Sequence, residues 1–403
     1  MPLRHVARRV LEYNHGRDPV RLGIKFRAMR EQPFTFFRAT AHLFYEYRDL
    51  LDPVTGAPAV WSSGDVHVEN FGCFKGDNRL TYFDLNDFDE AALGPLSWDL
   101  VRLLASALLG AGRPRLTDGE RVEICRDLLG HYAGTLAGGK ARWIERATAE
   151  GPIRRLLRQA KRRTRRALLA ERTRRGGKSR RFRSDPTRML AATAGEHRAV
   201  AALLRRVGAR EPNPGFYRVH DVVRRVAGMA SLGVTRFAVL VEGRGSPNNN
   251  YLLDLKAAQP SVLAAASPCR QPRWASEAER VVTVQSWVQA VYPALLSATV
   301  LGKEALVLRE LQPTADRLRS SDWRSEGAGL AHLVRAAAGV TAWGHLRAAG
   351  RHGADGIDTL IAFGRDRQWR PRVVRSAVEA ARRAVAEWED FSESYDRGEL
   401  EPQ

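Results

Sequence analysis

The sequence predicts an α+β protein of two lobes, a larger, mainly helical one and a small antiparallel β lobe. Three observations carry this. Apolar residues recur at helical spacing through the first 60 residues, through 97–137 and through the last 90. Between 216 and 312, β-branched and aromatic runs are punctuated by glycines. The segment Pro212–Gly215 separates the two characters as a linker.

The elements follow in order. Phe34, Phe37, Ala41, Phe44 and Tyr45 share a helical face that ends at Asp52-Pro53. Pro58–Ser62 is extended, and Gly76-Asp77-Asn78 before Leu80–Phe83 marks a β-hairpin. Ser97 or Asp99 caps a helix through Leu108, and another runs from Asp118 to Ala137. Ile153, Leu156, Leu157, Ala160, Thr164, Ala167 and Leu168 form the apolar stripe of an arginine-faced helix, broken at Gly176-Gly177. A helix over 185–207 precedes the linker. Strands are expected at Val222–Gly228, Phe237–Glu242, Tyr251–Ala257 and Ala305–Leu311, with a helix over Ala275–Leu296. No internal repeat occurs.

Composition bounds the function. Apolar residues are 44% of the 403, so wholesale disorder is excluded. No apolar run reaches the roughly 18 residues of a membrane span, Arg102 interrupting the nearest, Leu100–Gly110. No signal peptide is read after Met1–Arg9. Cys73, Cys125 and Cys269 are widely spaced without a CxxC, which argues against a disulfide framework or a cysteine zinc site and for a cytoplasmic protein. The net charge is +20, but 154–183 holds 15 basic residues against Glu171 alone. That segment is a candidate polyanion contact, and is expected to be separable from any cleft.

Five constellations carry chemistry. In Gly64-Asp65-Val66-His67-Val68-Glu69-Asn70, an aspartate precedes an asparagine by five residues on a loop. The first suits proton abstraction from a hydroxyl and the second offers a hard oxygen to Mg²⁺. In Asp84-Leu85-Asn86-Asp87-Phe88-Asp89-Glu90, four carboxylates would repel one another without a cation. Asp99 in Gly94-Pro95-Leu96-Ser97-Trp98-Asp99 is a cap or a further acidic group. Gly228-Met229-Ala230-Ser231-Leu232-Gly233 is a glycine turn between strands that would cover phosphates. Lys256 lies in an apolar strand, where an ammonium needs a partner, and Glu277 or Glu279 is expected to provide it.

Together these resemble the protein-kinase-like phosphotransferases. Asp65, His67 and Asn70 are similar to the catalytic loop of aminoglycoside and choline kinases. Asp87-Phe88-Asp89-Glu90-Ala91 with Trp98-Asp99-Leu100 looks like their metal-binding segment. Gly228, Ser231 and Gly233 look like the glycine-rich loop, Lys256 like the phosphate lysine and Glu279 like its partner. Across most of the chain, on Arg38, Gly64–Asn70, Asp84–Glu90 and Arg309-Glu310-Leu311, the sequence is similar to a bacterial family of unknown function, domain of unknown function 2252.

The resemblance implies a circularly permuted two-lobed kinase-like fold, because the catalytic loop precedes the glycine loop by about 160 residues. The expected parts are a helical lobe over 1–140, a basic segment over 141–215, the β lobe over 216–312 and completing helices over 313–403. ATP and Mg²⁺ are the implied cofactors. Lys256 meets phosphates, Glu310 and Gln312 lie at the hinge, and Asn70 with Asp84 or Asp87 holds metal. Spacing from Asn70 favours Asp84, and spacing to Asp99 favours Asp87. The acceptor is an unidentified hydroxyl compound. Alternatives are nucleotidyl transfer and nucleic-acid binding through 154–183. A metallophosphoesterase is disfavoured, since its Gly-Asn-His segment and paired histidines are missing.

Overall fold

The chain opens with five short helices, α1 (His5–Tyr13), α2 (Pro19–Glu31), α3 (Pro33–Ala39), α4 (Ala41–Phe44) and α5 (Arg48–Leu51). Asp18 starts α2 by accepting the Arg21 N–H, with Pro19 at the first helical position. The computed structural model describes residues 5–110, 117–177, 179–183, 185, 187–313, 316–324 and 328–400.

Strands β1 (Ala59–Ser62) and β4 (Ala92–Pro95) pair antiparallel, so the chain between them leaves and returns at one place. Inside that excursion, β2 (Phe71–Lys75) and β3 (Thr81–Leu85) form a hairpin, joined by β5 (Ile144–Glu145). Helix α6 (Leu96–Gly110) is buried over most of its length, and α7 (Asp118–Ala137) starts at a Thr117–Glu120 capping box. Their apolar residues join those of α13 (Ala328–Ala348), α14 (Ile357–Arg365) and α15 (Arg370–Asp396) in the largest core. The N-terminal helices pack on Phe391 of α15 in a second cluster.

The basic stretch is not one helix. Thr164 accepts the Ala167 N–H and starts a second helix, giving α8 (Gly151–Arg162) and α9 (Arg165–Arg172). Gly176 ends one strand of a hairpin, β6 (Thr173–Gly176) with β7 (Ser179–Phe182), and Gly177, at φ +60°, lies in its turn. The helix expected from 185 begins later. The Asp185 carboxylate accepts the Thr187 and Arg188 N–H groups in a local turn, β8 (Met189–Ala191) follows, and a Thr193–Glu196 capping box opens α10 (Ala194–Gly208).

A six-stranded antiparallel sheet has the order β12-β13-β11-β10-β9-β8. Its strands are β9 (Val219–Arg225), β10 (Arg236–Val241), β11 (Tyr251–Ala257), β12 (Ser297–Leu301) and β13 (Glu304–Glu310), with β8 at one edge. Alternation separates its faces. Phe237, Val239, Leu253, Leu255, Leu306 and Leu308 pack on Val200, Leu203 and Leu204 of α10. Ala238, Leu240 and Leu252 are covered by Leu169, Phe182 and Met189. Between β11 and β13 come α11 (Val262–Ala266) and α12 (Glu277–Val288), shorter than the expected 275–296. Val281, Val284 and Val288 of α12 belong to the large core, so this helix ties sheet to helical body.

Candidate active site

The loop after β1 is braced from three sides. Gly64 has φ +93°, and a Cβ there would overlap the Glu90 carbonyl, so only glycine fits. Ser62 Oγ accepts the Gly64 N–H at 2.7 Å and donates to Asp99, and Tyr45 donates to the Gly64 carbonyl. Asp99 is therefore a buried brace rather than a cap. Its other oxygen meets His345 Nε2 at 3.1 Å, and His345 Nδ1 meets the Tyr132 hydroxyl at 2.7 Å.

Asp65 accepts from Arg102 Nε at 2.6 Å. Arg102 has no exposed side-chain surface, and its guanidinium lies 4.3 and 4.6 Å from the ring centroids of Phe37 and Phe44. Burial pushes the Asp65 carboxyl above its ordinary value, with Arg102 opposing. His67 Nδ1 accepts the Glu69 N–H at 3.1 Å, and Nε2 stands 3.8 Å from Asp65 and 3.3 Å from Arg38 Nε. Burial holds the imidazole well below its usual range, hence neutral. His67 thus positions the loop rather than carrying charge. Asn70 Nδ2 donates to the Asp65 and Asp87 carbonyls at 3.0 and 3.4 Å, while its buried Oδ1 has no partner among the described residues.

The acidic run divides at the end of β3. Asp84 lies within the strand, and its carboxylate accepts from Leu85 and Ala290 N–H and from Arg347. Of the two candidate metal ligands, Asp84 is the one whose carboxylate is already engaged by the protein, and it lines none of the cavities described below. Asp87, beyond the strand, faces the sheet. Burial pushes its carboxyl up, but Lys256, Arg317, Arg309 and Arg236 outweigh that and hold it at about 2. Burial raises Glu90 to about 7.

The partner of Lys256 is Asp89, not Glu279. Glu279 turns back to accept the Ala275 N–H at the start of α12. The adjoining Arg280, 2% exposed, donates instead to the Asp89, Ala91 and Gln259 carbonyls and so fixes the acidic loop.

The glycine turn is drawn over this place by the N-terminal helices. The Ala230 carbonyl accepts from Arg17 at 2.9 Å and from Lys25 at 3.4 Å. Gly233 has φ +90° and lies against Arg17, where a Cβ would clash. On the sheet, Arg236 is in register with Lys256, and Asp254 accepts from Arg225, Arg236 and Arg309.

These groups line three adjoining cavities. Asp65, Asp87, Asp89, Glu90, Lys256, Ser231, Tyr13 and Arg17 line the first. Asp87, Lys256, Gly228, Arg225, Arg236, Asp254, Arg309, Gln312 and Arg317 line the second. The third lies at the chain after β13, among Cys73, Glu310, Leu311, Gln312, Pro313 and Arg309. Gln312 Oε1 is buried without a partner among the described residues, and Glu310 pairs with Arg79 at 2.7 Å. Arg163, Thr164, Arg165 and Leu168 also line this third cavity, so the basic segment is part of its wall and not separable from the cleft. Arg163 pairs with Asp316, and Arg165 stacks on Tyr251 at 3.6 Å.

Sequence reasoning gave no site role to Arg102, Asp254, Arg317 or Arg17, and did not pair Asp89 with Lys256. Two of these left a signal. Arg102 is the lone basic residue in an apolar helix, and Asp254 shares the Lys256 face two residues away in an apolar strand. Among the described residues, no group of three His, Cys, Asp or Glu side chains is arranged to hold a metal ion. Asn70 Oδ1 and the Asp87 carboxylate are hard oxygens of the kind that Mg²⁺ takes beside phosphate and water, but of the two only Asp87 lines these cavities. No described helix is long and apolar enough to cross a membrane.

The profile of a family described as "uncharacterized protein conserved in bacteria (DUF2252)" matches residues 17–394. The chain belongs to that family. No curated protein and no solved structure matches it significantly.

Proposed function

We propose that this protein is a Mg²⁺-dependent ATP phosphotransferase acting on a hydroxyl acceptor, with kinase-like lobes in circularly permuted chain order. The observation that carries the reading is the convergence of Asp65, Asp87 and Lys256 on one cavity beneath the glycine turn, from two segments far apart in the chain. The order of parts supports it. A glycine turn joins β9 to β10, the lysine lies on the third strand of that run, and a helix follows before β12 and β13. The Asp65 loop, a hairpin and Asp87 form the other half.

Asp65 is the base. A carboxyl raised by burial and oriented by Arg102 accepts the hydroxyl proton as the oxygen attacks the γ-phosphorus. The bond from that phosphorus to the bridging oxygen breaks, and ADP leaves. Lys256 moves from Asp89 to the phosphates, an exchange of one anion for another. Asp87 and Asn70 would hold Mg²⁺, whose charge would offset that on the transferred group. The test is ATP affinity with and without Mg²⁺ in wild type and Asp87→Asn. Wild type should bind more tightly with Mg²⁺ and the variant should lose that difference. Equal Mg²⁺ dependence in both would contradict the assignment.

A further inference from the structure

We infer that the cationic cavity beside Asp87 is built for a polyphosphate chain, with Arg317, Arg309 and Arg236 as its contacts. The inference rests on the phosphotransferase reading only in taking that chain to be a nucleotide's.

Five cationic side chains line the cavity, Arg225, Arg236, Lys256, Arg309 and Arg317, against Asp87 and Asp254. Asp254 already serves three arginines. Lys256 is taken by Asp89. Arg317 has no hydrogen bond or ion pair from its side chain among the described residues, although it is partly buried beside Arg309 and Arg236. Arg236 also lies in register opposite Lys256, where like charges repel. Cations gathered under burial without enough carboxylates are costly, and a multivalent anion relieves that cost. Guanidinium forks suit phosphate oxygens better than an ammonium does.

The neighbouring cavities set the direction of the chain. The sheet face below Leu240 and Leu252 is filled by Leu169, Phe182 and Met189, so a base has no room there. Arg309 and Gln312 are common to the cationic cavity and the one beside Leu311 and Pro313. Asp87 and Lys256 are common to the cationic cavity and the one holding Asp65. Base, phosphates and acceptor hydroxyl therefore occupy three consecutive chambers. The unpartnered Gln312 Oε1 stands where a ribose hydroxyl would donate. The terminal phosphate reaches Lys256.

The test compares wild type with Arg317→Gln and Arg317→Lys, using inorganic tripolyphosphate, ATP and adenosine in calorimetry and thermal unfolding. Tripolyphosphate and ATP should bind wild type. Arg317→Gln should weaken both by about tenfold or more, as expected for a charge-assisted hydrogen bond, and Arg317→Lys should recover part of the loss. The unliganded melting temperature of Arg317→Gln should stay close to that of wild type, because among the described residues the side chain makes no hydrogen bond or ion pair, and its attraction to Asp87 is set against repulsion from Arg309, Arg236 and Arg38. ATP binding more tightly than tripolyphosphate identifies the nucleotide, and the reverse identifies free polyphosphate. Unchanged tripolyphosphate binding in Arg317→Gln, no tripolyphosphate binding in wild type, or a large fall in unliganded stability would each overturn the inference. Arg317-dependent binding without phosphoryl transfer to any acceptor would keep it and remove the phosphotransferase reading instead.

Discussion

Arg102 and Asp65 form a buried ion pair that holds the loop and, in the proposed reaction, orients the base. Arg102→Leu leaves Asp65 buried without its partner, and the expected cost is about 3–5 kcal/mol in urea unfolding. A loss below about 1 kcal/mol would mean that the pair does not hold the loop. For the same reason Asp65→Asn is a better chemical probe than Asp65→Ala, because the amide oxygen still accepts from Arg102. Glu90 gives a pH signature. Its carboxyl is raised from 4.5 to about 7, so the folded chain binds that proton more tightly than the unfolded chain does. This group's contribution to stability is full below about 4.5 and is lost as pH rises towards about 7. Glu90→Gln should flatten the stability profile over that window and be the more stable form at about pH 8. A profile in the variant as steep as wild type would assign the dependence to another group.

Among the elements, the strands of the sheet were legible wherever one face is apolar, as in Phe237, Val239 and Val241. Asp84 and Asp87 could not be told apart by spacing, because the choice depends on β3 ending at Leu85. That puts Asp84 inside the hairpin beside Arg347 and Asp87 beyond it. Glu279 was misread because an acidic residue in a first turn also serves the helix start, which took precedence here. The Thr193–Glu196 capping box was present in the sequence and overlooked, and with it β8. Helices α8 and α9 give a prediction of their own. Arg154, Arg155, Arg158 and Arg162 are exposed, whereas Arg163 and Arg165 are half-buried at the cavity beside Leu311. Neutralising the exposed four should reduce retention on heparin and its salt dependence while leaving ATP affinity within about twofold. Neutralising Arg163 and Arg165 should weaken ATP binding several-fold. The opposite pattern, read by calorimetry and salt-gradient elution, would take these helices out of the nucleotide site.

At the scale of the whole molecule, the chain reaches one cleft twice. It arrives first through the β1–β4 excursion with Asp65 and Asp87, and about 160 residues later through β9–β11 with the glycine turn and Lys256. Helix α12, packed in the large core, and the α1–α2 contacts to Ala230 hold the halves together. The proposed phosphoryl transfer to a hydroxyl at this meeting place is measurable as single-turnover transfer from γ-labelled ATP to a panel of hydroxylated acceptors, with ATP affinity recorded in parallel, for wild type and Asp65→Asn. Wild type should transfer, the variant should be slower by roughly 10²–10⁴, and ATP affinity should change by no more than a few-fold. Undiminished transfer in well-folded Asp65→Asn, or a wild type that binds no nucleotide, would contradict that proposal.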